Sequence, residues 1–248
     1  MKVSEQFYSV QGEGPTQGTP AYFIRLKGCN LMCGGSNGAL VNLGKATWHC
    51  DTEDVWRNGQ DFTNQEVFQE IKETGKLKDI LEGSSHLIWT GGEPTLPRHR
   101  EDILKFLGDL DEQFGSNRAY NEVETNGTLV LPYEFMTHIQ QFNVSPKLSN
   151  SGIPKAKRII PEAIHRIKEH DNYSFKFVVD SPSDADEIER DFVRPCGVRK
   201  DKILIMPAGS TRTVFEKNLF PCSKICMNQG YKLSQRLQIK RWDRATGI

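Results

Sequence analysis

The sequence predicts an α/β fold with a mainly parallel sheet in one domain. Short apolar, β-rich runs alternate with helical patterns, and repeated strand–helix units imply parallel strands. The length, 248 residues, suits a single large α/β unit. A pair of cysteines opens directly after an early strand, where α/β proteins bind ligands at the carboxyl ends of their strands. Pattern alone leaves barrel and open sheet both open.

Taken in order, strands are expected at 21–26, 86–90, 121–124, 142–144, 173–179, 203–206 and 236–240. Thr63-Asn64-Gln65-Glu66 is a capping box, with Val67 and Ile71 continuing at helical period. Ile103, Leu104, Leu107 and Leu110 form the apolar stripe of a second helix. Pro161 suits the first turn of a third, with Ile164 and Ile167 on one face. Ser183 is the expected cap of a fourth, and acidic residues in its first turn match the helix dipole. A fifth runs from about Arg212 to Gln229, closed by Gly230. The glycine-rich stretch from Asn30 to Lys45 reads as a loop.

Composition narrows the class. Lys plus Arg equals Asp plus Glu, at 32 each, which makes no electrostatic case for direct nucleic-acid or membrane-surface binding. No apolar run approaches the ~20 residues of a membrane span. Met1 to Gly14 is polar and lacks the apolar stretch of a signal peptide. A cytoplasmic location is therefore expected. There the six cysteines read as ligands or core residues and not as a disulfide framework.

Cys29 and Cys33 are separated by three residues, and Cys50 follows after sixteen more. Three thiolates on a loop can hold three irons of a four-iron cluster and leave the fourth open to a small molecule. A zinc site and plain burial are the alternatives. Cys222 and Cys226, four apart on one helix face, read as small core hydrophobes before they read as a second metal site. Thr90-Gly91-Gly92-Glu93-Pro94 closes a short strand. Its glycines allow close backbone approach to a ligand, and its carbonyls and carboxylate could meet an ammonium group.

Together these motifs resemble the radical S-adenosylmethionine (SAM) superfamily, and within it the 7-carboxy-7-deazaguanine synthases. The resemblance spans nearly the whole chain. It runs from Gln11-Gly12-Glu13-Gly14 through Cys50-Asp51-Thr52, Glu124-Thr125-Asn126-Gly127, Ser145-Pro146-Lys147 and Phe175-Lys176-Phe177 to Arg236-Leu237-Gln238. It implies an incomplete TIM-type barrel of radical SAM type with parallel strands. It also implies a [4Fe–4S] cluster on Cys29, Cys33 and Cys50, with SAM on the fourth iron. An electron from the cluster then yields a 5′-deoxyadenosyl radical. The implied reaction is ring contraction of 6-carboxy-5,6,7,8-tetrahydropterin to 7-carboxy-7-deazaguanine, toward preQ0 and queuosine-type nucleosides. By the same resemblance Gly92, Glu93, Glu124, Ser145 and Lys147 hold SAM. Gln11, Glu13, Arg25 and Thr90 hold the pterin, and Thr52 holds magnesium with Asp51 nearby. A homodimer and an external electron donor such as flavodoxin are expected partners.

Taken singly, Arg25 could be a surface strand residue, Glu13 a turn carboxylate and Asp51-Thr52 a helix cap. Two departures stand out. Compact members separate the second and third cysteines by two residues. The insertion here, placed at about 34–48, costs about 1.5 kcal/mol of loop closure, which metal–thiolate bonds can offset. His49 is an alternative ligand, weaker than Cys33. Related chains tend to carry Arg-Leu-His where this one has Gln238, which cannot titrate near neutral pH. A glycyl-radical activase or a zinc-binding scaffold domain are the rival readings.

Overall fold

The computed structural model describes residues 1–115, 119–245 and 247. Among the described residues, nine strands form one sheet: β1 (Lys2–Val10), β2 (Pro20–Leu26), β3 (Gln60–Asp61), β4 (His86–Gly91), β5 (Tyr120–Thr125), β6 (Gln141–Val144), β7 (Tyr173–Val179), β8 (Ile203–Pro207) and β9 (Lys232–Leu233). Their order is β3-β1-β2-β4-β5-β6-β7-β8-β9. From β2 to β9 all neighbours are parallel, and β1 runs antiparallel to both β2 and β3. This is the open, partial barrel that the resemblance implied.

The helices are α1 (Ala39–Asn42), α2 (Glu53–Trp56), α3 (Asn64–Glu73), α4 (Leu77–Leu81), α5 (Pro97–Phe114), α6 (Tyr133–Thr137), α7 (Lys155–Arg158), α8 (Pro161–Lys168), α9 (Pro182–Ile188), α10 (Arg194–Cys196), α11 (Arg212–Gln229) and α12 (Leu237–Trp242). The Thr63–Glu66 capping box opens α3, with both reciprocal bonds formed. Val67, Phe68 and Ile71 of α3 are buried, as are Ile103, Phe106, Leu107 and Leu110 of α5. Phe68 meets Phe106 at 4.5 Å between ring centroids, and Trp89 of β4 meets Phe106 edge-on at 5.3 Å. These contacts seat α3 and α5 on the outer face of the sheet.

The strands alternate outward apolar with inward polar residues. Tyr22, Ile24 and Leu26 join the main core, as do Phe175, Phe177 and Val179. The inward set includes Arg25, Thr90, Glu124 and Lys176, which border the cavity at the carboxyl ends of the strands. Period-2 alternation is thus what carries polar chemistry into the barrel.

Three expectations need correction, and one long strand lies outside the expected set. The run 236–240 is not a strand: β9 ends at Leu233 and α12 begins at Leu237. Five residues of alternation cannot separate the two periods, and a bond from Leu237 N–H to Gly12 C=O helps decide the outcome. The cap of α9 is Ser181, with Asp184 answering it, and Ser183 lies inside the helix. The polar N-terminal stretch contains β1, which lies between β3 and β2 with mostly half-buried positions and an irregularity between Val3 and Glu5. The stretch from Asn30 to Lys45 contains α1 and a preceding 3-10 turn at Ser36–Gly38.

Candidate active site

Every site residue expected from the sequence except Glu93 lines one cavity of about 760 Å³. That volume lies within the range of small-molecule sites. Cys29 follows β2, Thr90 and Gly92 close β4, Glu124 stands on β5, and Ser145 and Lys147 follow β6.

Cys29, Cys33 and Cys50 border the cavity together. Cys33 packs with Leu31 and Ile153, and Cys29, Trp48 and Cys50 lie against that cluster. Burial pushes the Cys29 thiol up to about 12, opposed by the Leu31 amide and Lys147. Burial raises Cys33 as well, and Lys147 acts against it. A bound cation reverses this logic, because it holds the coordinating sulfur as thiolate. Among the described residues, no three His, Cys, Asp or Glu side chains converge closely enough to hold a single metal ion. Three thiols bordering one cavity are the ligand number that a four-iron cluster with one open iron would take.

The two glycines at the end of β4 answer to the cluster loop. A Cβ on Gly91 would lie 2.2 Å from Leu26 O, and one on Gly92 would lie 2.1 Å from Gly28 O. The amides of Gly92 and Glu93 donate to Leu26 O and Gly28 O at 3.1 and 2.8 Å. The turn is therefore stitched to the strand end that carries Cys29. The Glu93 side chain is fully buried and does not itself border the cavity, although its partners Thr125 and Asn126 do. Its Oε1 accepts from Thr95 N (2.9 Å), Thr95 Oγ1 (2.5 Å) and Thr125 Oγ1 (2.7 Å), and its Oε2 accepts from Asn126 N (2.7 Å). Four donors occupy the carboxylate expected to meet an ammonium group.

A chain of charges crosses the cavity wall. Glu13 Oε1 accepts from Arg236 Nε at 2.8 Å and from Gln238 Nε2 at 2.6 Å, and Oε2 accepts from Lys176 Nζ. Arg236 reaches on to Asp51 Oδ2 at 2.5 Å and to Gly209 O at 2.8 Å. Burial alone would raise the Glu13 carboxyl, but Lys176 and Arg236 outweigh it and hold the group well below the usual carboxylate range. Asp51 is lowered likewise, burial being outweighed by Arg236. Glu124 accepts from Thr90 Oγ1 (2.8 Å) and Gln11 Nε2 (3.2 Å). Arg25 Nε pairs with Glu5 at 2.7 Å. Lys147 Nζ donates to Ser145 Oγ at 3.0 Å. Thr52 Oγ1 lies 3.5 Å from Cys50 Sγ and makes no side-chain cap bond to α2.

Lys176 and Arg236 had no assigned role from sequence. Lys176 was detectable as the polar position between Phe175 and Phe177 in an otherwise apolar run. Arg236 stands in the closing Arg236-Leu237-Gln238 motif of the resemblance, which gave it no role of its own. Cys222 and Cys226 pack in the main core, with Cys222 Sγ 3.5 Å from Val179 O.

No family model matches the chain. A 7-carboxy-7-deazaguanine synthase of Pyrobaculum aerophilum is 31% identical over 252 residues, covering 100% of this chain and 97% of its own. The chain belongs to the 7-carboxy-7-deazaguanine synthase family. The synthase of Halobacterium salinarum is 27% identical, covering 99% of this chain and 91% of its own. The crystal structure of QueE from Escherichia coli superposes with a TM-score of 0.60 at 22% identity, over 94% of this chain and 92% of that one. The enzyme anSMEcpe with bound AdoMet and a Kp18Cys peptide shares the fold more loosely, with a TM-score of 0.50 at 15% identity, over 85% and 63%. As a family member, the chain is an enzyme of the radical SAM class, acting in 7-deazapurine biosynthesis.

Proposed function

We propose that this synthase contracts 6-carboxy-5,6,7,8-tetrahydropterin to 7-carboxy-7-deazaguanine, using a [4Fe–4S] cluster, SAM and magnesium. The observation that carries the reading is that Cys29, Cys33 and Cys50 border one cavity together with the polar lining of the barrel. When bound, the cluster and SAM supply the radical that starts the chemistry. The chain's own residues bind, orient and exclude water.

Gly92, Glu124, Ser145 and Lys147 would hold SAM beside the cluster loop, with Glu93 bracing the turn from beneath. The Arg25–Glu5 pair uses Nε, and the remaining guanidinium edge suits the substrate carboxylate. An ionised carboxylate offers about four acceptor sites. Three donors already meet Glu13, so one site on Oε2 remains for a ring N–H. Gln11 and Thr90 border the same space. The Thr52 hydroxyl would reach magnesium completed by substrate and water, a ligand set this hard cation favours. An external one-electron donor such as flavodoxin, a homodimeric state and a cytoplasmic location complete the proposal. Among the described residues no helix is long and apolar enough to cross a membrane.

The test is anaerobic turnover of reconstituted protein with SAM, reductant, magnesium and the tetrahydropterin, followed by mass spectrometry. The expected product is 7-carboxy-7-deazaguanine, lost in Cys50→Ala and reduced when magnesium is chelated. Absence of product from protein with a demonstrated four-iron cluster would overturn the substrate assignment.

A further inference from the structure

We infer that the indole N–H of Trp56 holds Cys50 in position and raises the reduction potential of the cluster. The inference rests on the cluster assignment above. Trp56 is 5% exposed, and its Nε1 lies 3.3 Å from Cys50 Sγ. A buried indole N–H needs an acceptor, and here that acceptor is the third cysteine.

The backbone of the same residue reaches the first cysteine's flank. Trp56 C=O accepts from Gly28 N–H at 3.0 Å, directly before Cys29, and Trp56 N–H donates to Thr52 O at 3.0 Å. One residue thus ties both ends of the cysteine set. Such a tie matters in this chain because sixteen residues separate Cys33 from Cys50. The short covalent leash of a compact loop is missing. In its place stand the bond from Cys50 N–H to Cys33 O at 3.1 Å and the Trp56 side chain.

The electronic consequence follows from charge. Reduction adds an electron to a cluster whose thiolates already carry negative charge. A donor hydrogen bond to one of those sulfurs stabilises the reduced form more than the oxidised form, so the potential rises. Cys29 receives a backbone donor, Leu31 N–H at 3.4 Å, which no side-chain substitution removes. At Cys50 the nitrogen donor is a side chain, so it can be deleted alone. Phenylalanine retains most of the ring packing and removes the donor.

The experiment compares reconstituted wild type with Trp56→Phe. Iron and sulfide content come first, then the cluster midpoint potential by redox titration followed by electron paramagnetic resonance. The expected result is unchanged cluster content with a midpoint shifted to more negative potential. A packing role alone would lower cluster content or thermal stability without moving the midpoint. An unchanged midpoint in a loaded Trp56→Phe protein overturns the inference alone. A wild type that takes up no four-iron cluster overturns the cluster assignment and the inference with it. If Trp56→Phe loads no cluster, Trp48→Phe protein carrying ¹⁵N-indole tryptophan decides. A ¹⁵N hyperfine coupling to the reduced cluster supports the inference, and its absence overturns it.

Discussion

At the scale of single residues, Glu93 separates bracing from ligand binding. Its carboxylate gathers donors from Thr95, Thr125 and Asn126, so it joins the turn after β4 to the end of β5. Those elements border the cavity through Gly92, Thr125 and Asn126. Replacement by Gln puts an amide NH₂ against donors and leaves at least one buried group unpaired. Glu93→Gln is therefore expected to lose about 1–3 kcal/mol of stability in the protein without SAM, measured by urea unfolding. A residue that acted only on bound SAM would leave that stability unchanged. The motif was legible in sequence because Gly-Gly-Glu is a local pattern. The direction of its carboxylate was not, since two of its four donors lie on Thr125 and Asn126, some thirty residues away in sequence.

At the scale of elements, the insertion between the second and third cysteines is docked on two sides. Gly34 N–H donates to Ser151 O at 2.8 Å, and Thr47 N–H donates to Asn150 O at 2.9 Å. Trp48 Nε1 donates to Asn150 Oδ1 at 2.9 Å. On the other side, Asn37 N–H meets the buried Glu53 carboxylate at 3.1 Å, and Arg57 joins that carboxylate to Ser36. The one-turn helix α2 thus anchors the insertion as well as Cys50. Glu53→Ala should loosen the insertion without melting the barrel. The expected result is faster amide hydrogen exchange across residues 36–45, with β4 and β5 unchanged. Equal protection in variant and wild type would show that the Ser151 and Asn150 contacts suffice. The sequence marked this stretch as a glycine-rich loop. Its short helix and its anchors depend on partners that sequence distance hides.

At the scale of the molecule, the charge chain Lys176–Glu13–Arg236–Asp51 joins parts that are far apart in sequence. It links the segment after β1, the middle of β7, the approach to α12 and the cluster loop. Its carboxyls are depressed in the fold, so their stabilisation is complete above their unfolded values. It fades as pH falls below about 4.5 for Glu13 and about 3.8 for Asp51. Lys176 and Arg236 are raised, so their contribution persists up to their unfolded values and is lost only above about 10.5 for Lys176. The urea midpoint of the protein should therefore stay level from about pH 5.5 to 9.5 with respect to this network and fall on the acid side. Glu13→Gln should lower the plateau and flatten that acid limb. An acid limb of undiminished slope in Glu13→Gln would assign it to other carboxyls.

What the sequence alone determined were the patterns written locally. The strand–helix alternation, the capping box of α3, the full extent of α11 and the cysteines on their loop all depend on near neighbours. Propensity, periodicity and motif spacing read such features directly. The resemblance to the synthase family rested on the same short motifs. The tertiary structure alone decided which residues face one another across the barrel. It paired Arg236 with Glu13 and Asp51, enclosed the Glu93 carboxylate among the donors of Thr95, Thr125 and Asn126, aimed Trp56 at Cys50 and made a helix of the run after Arg236. The Arg236 and Glu93 outcomes depend on groups that the sheet brings together from distant parts of the chain, whereas Trp56 meets Cys50 through the short helix α2 that follows it. Hydrogen bonds and ion pairs of that kind override short-range propensity and leave no trace in the order of neighbouring residues.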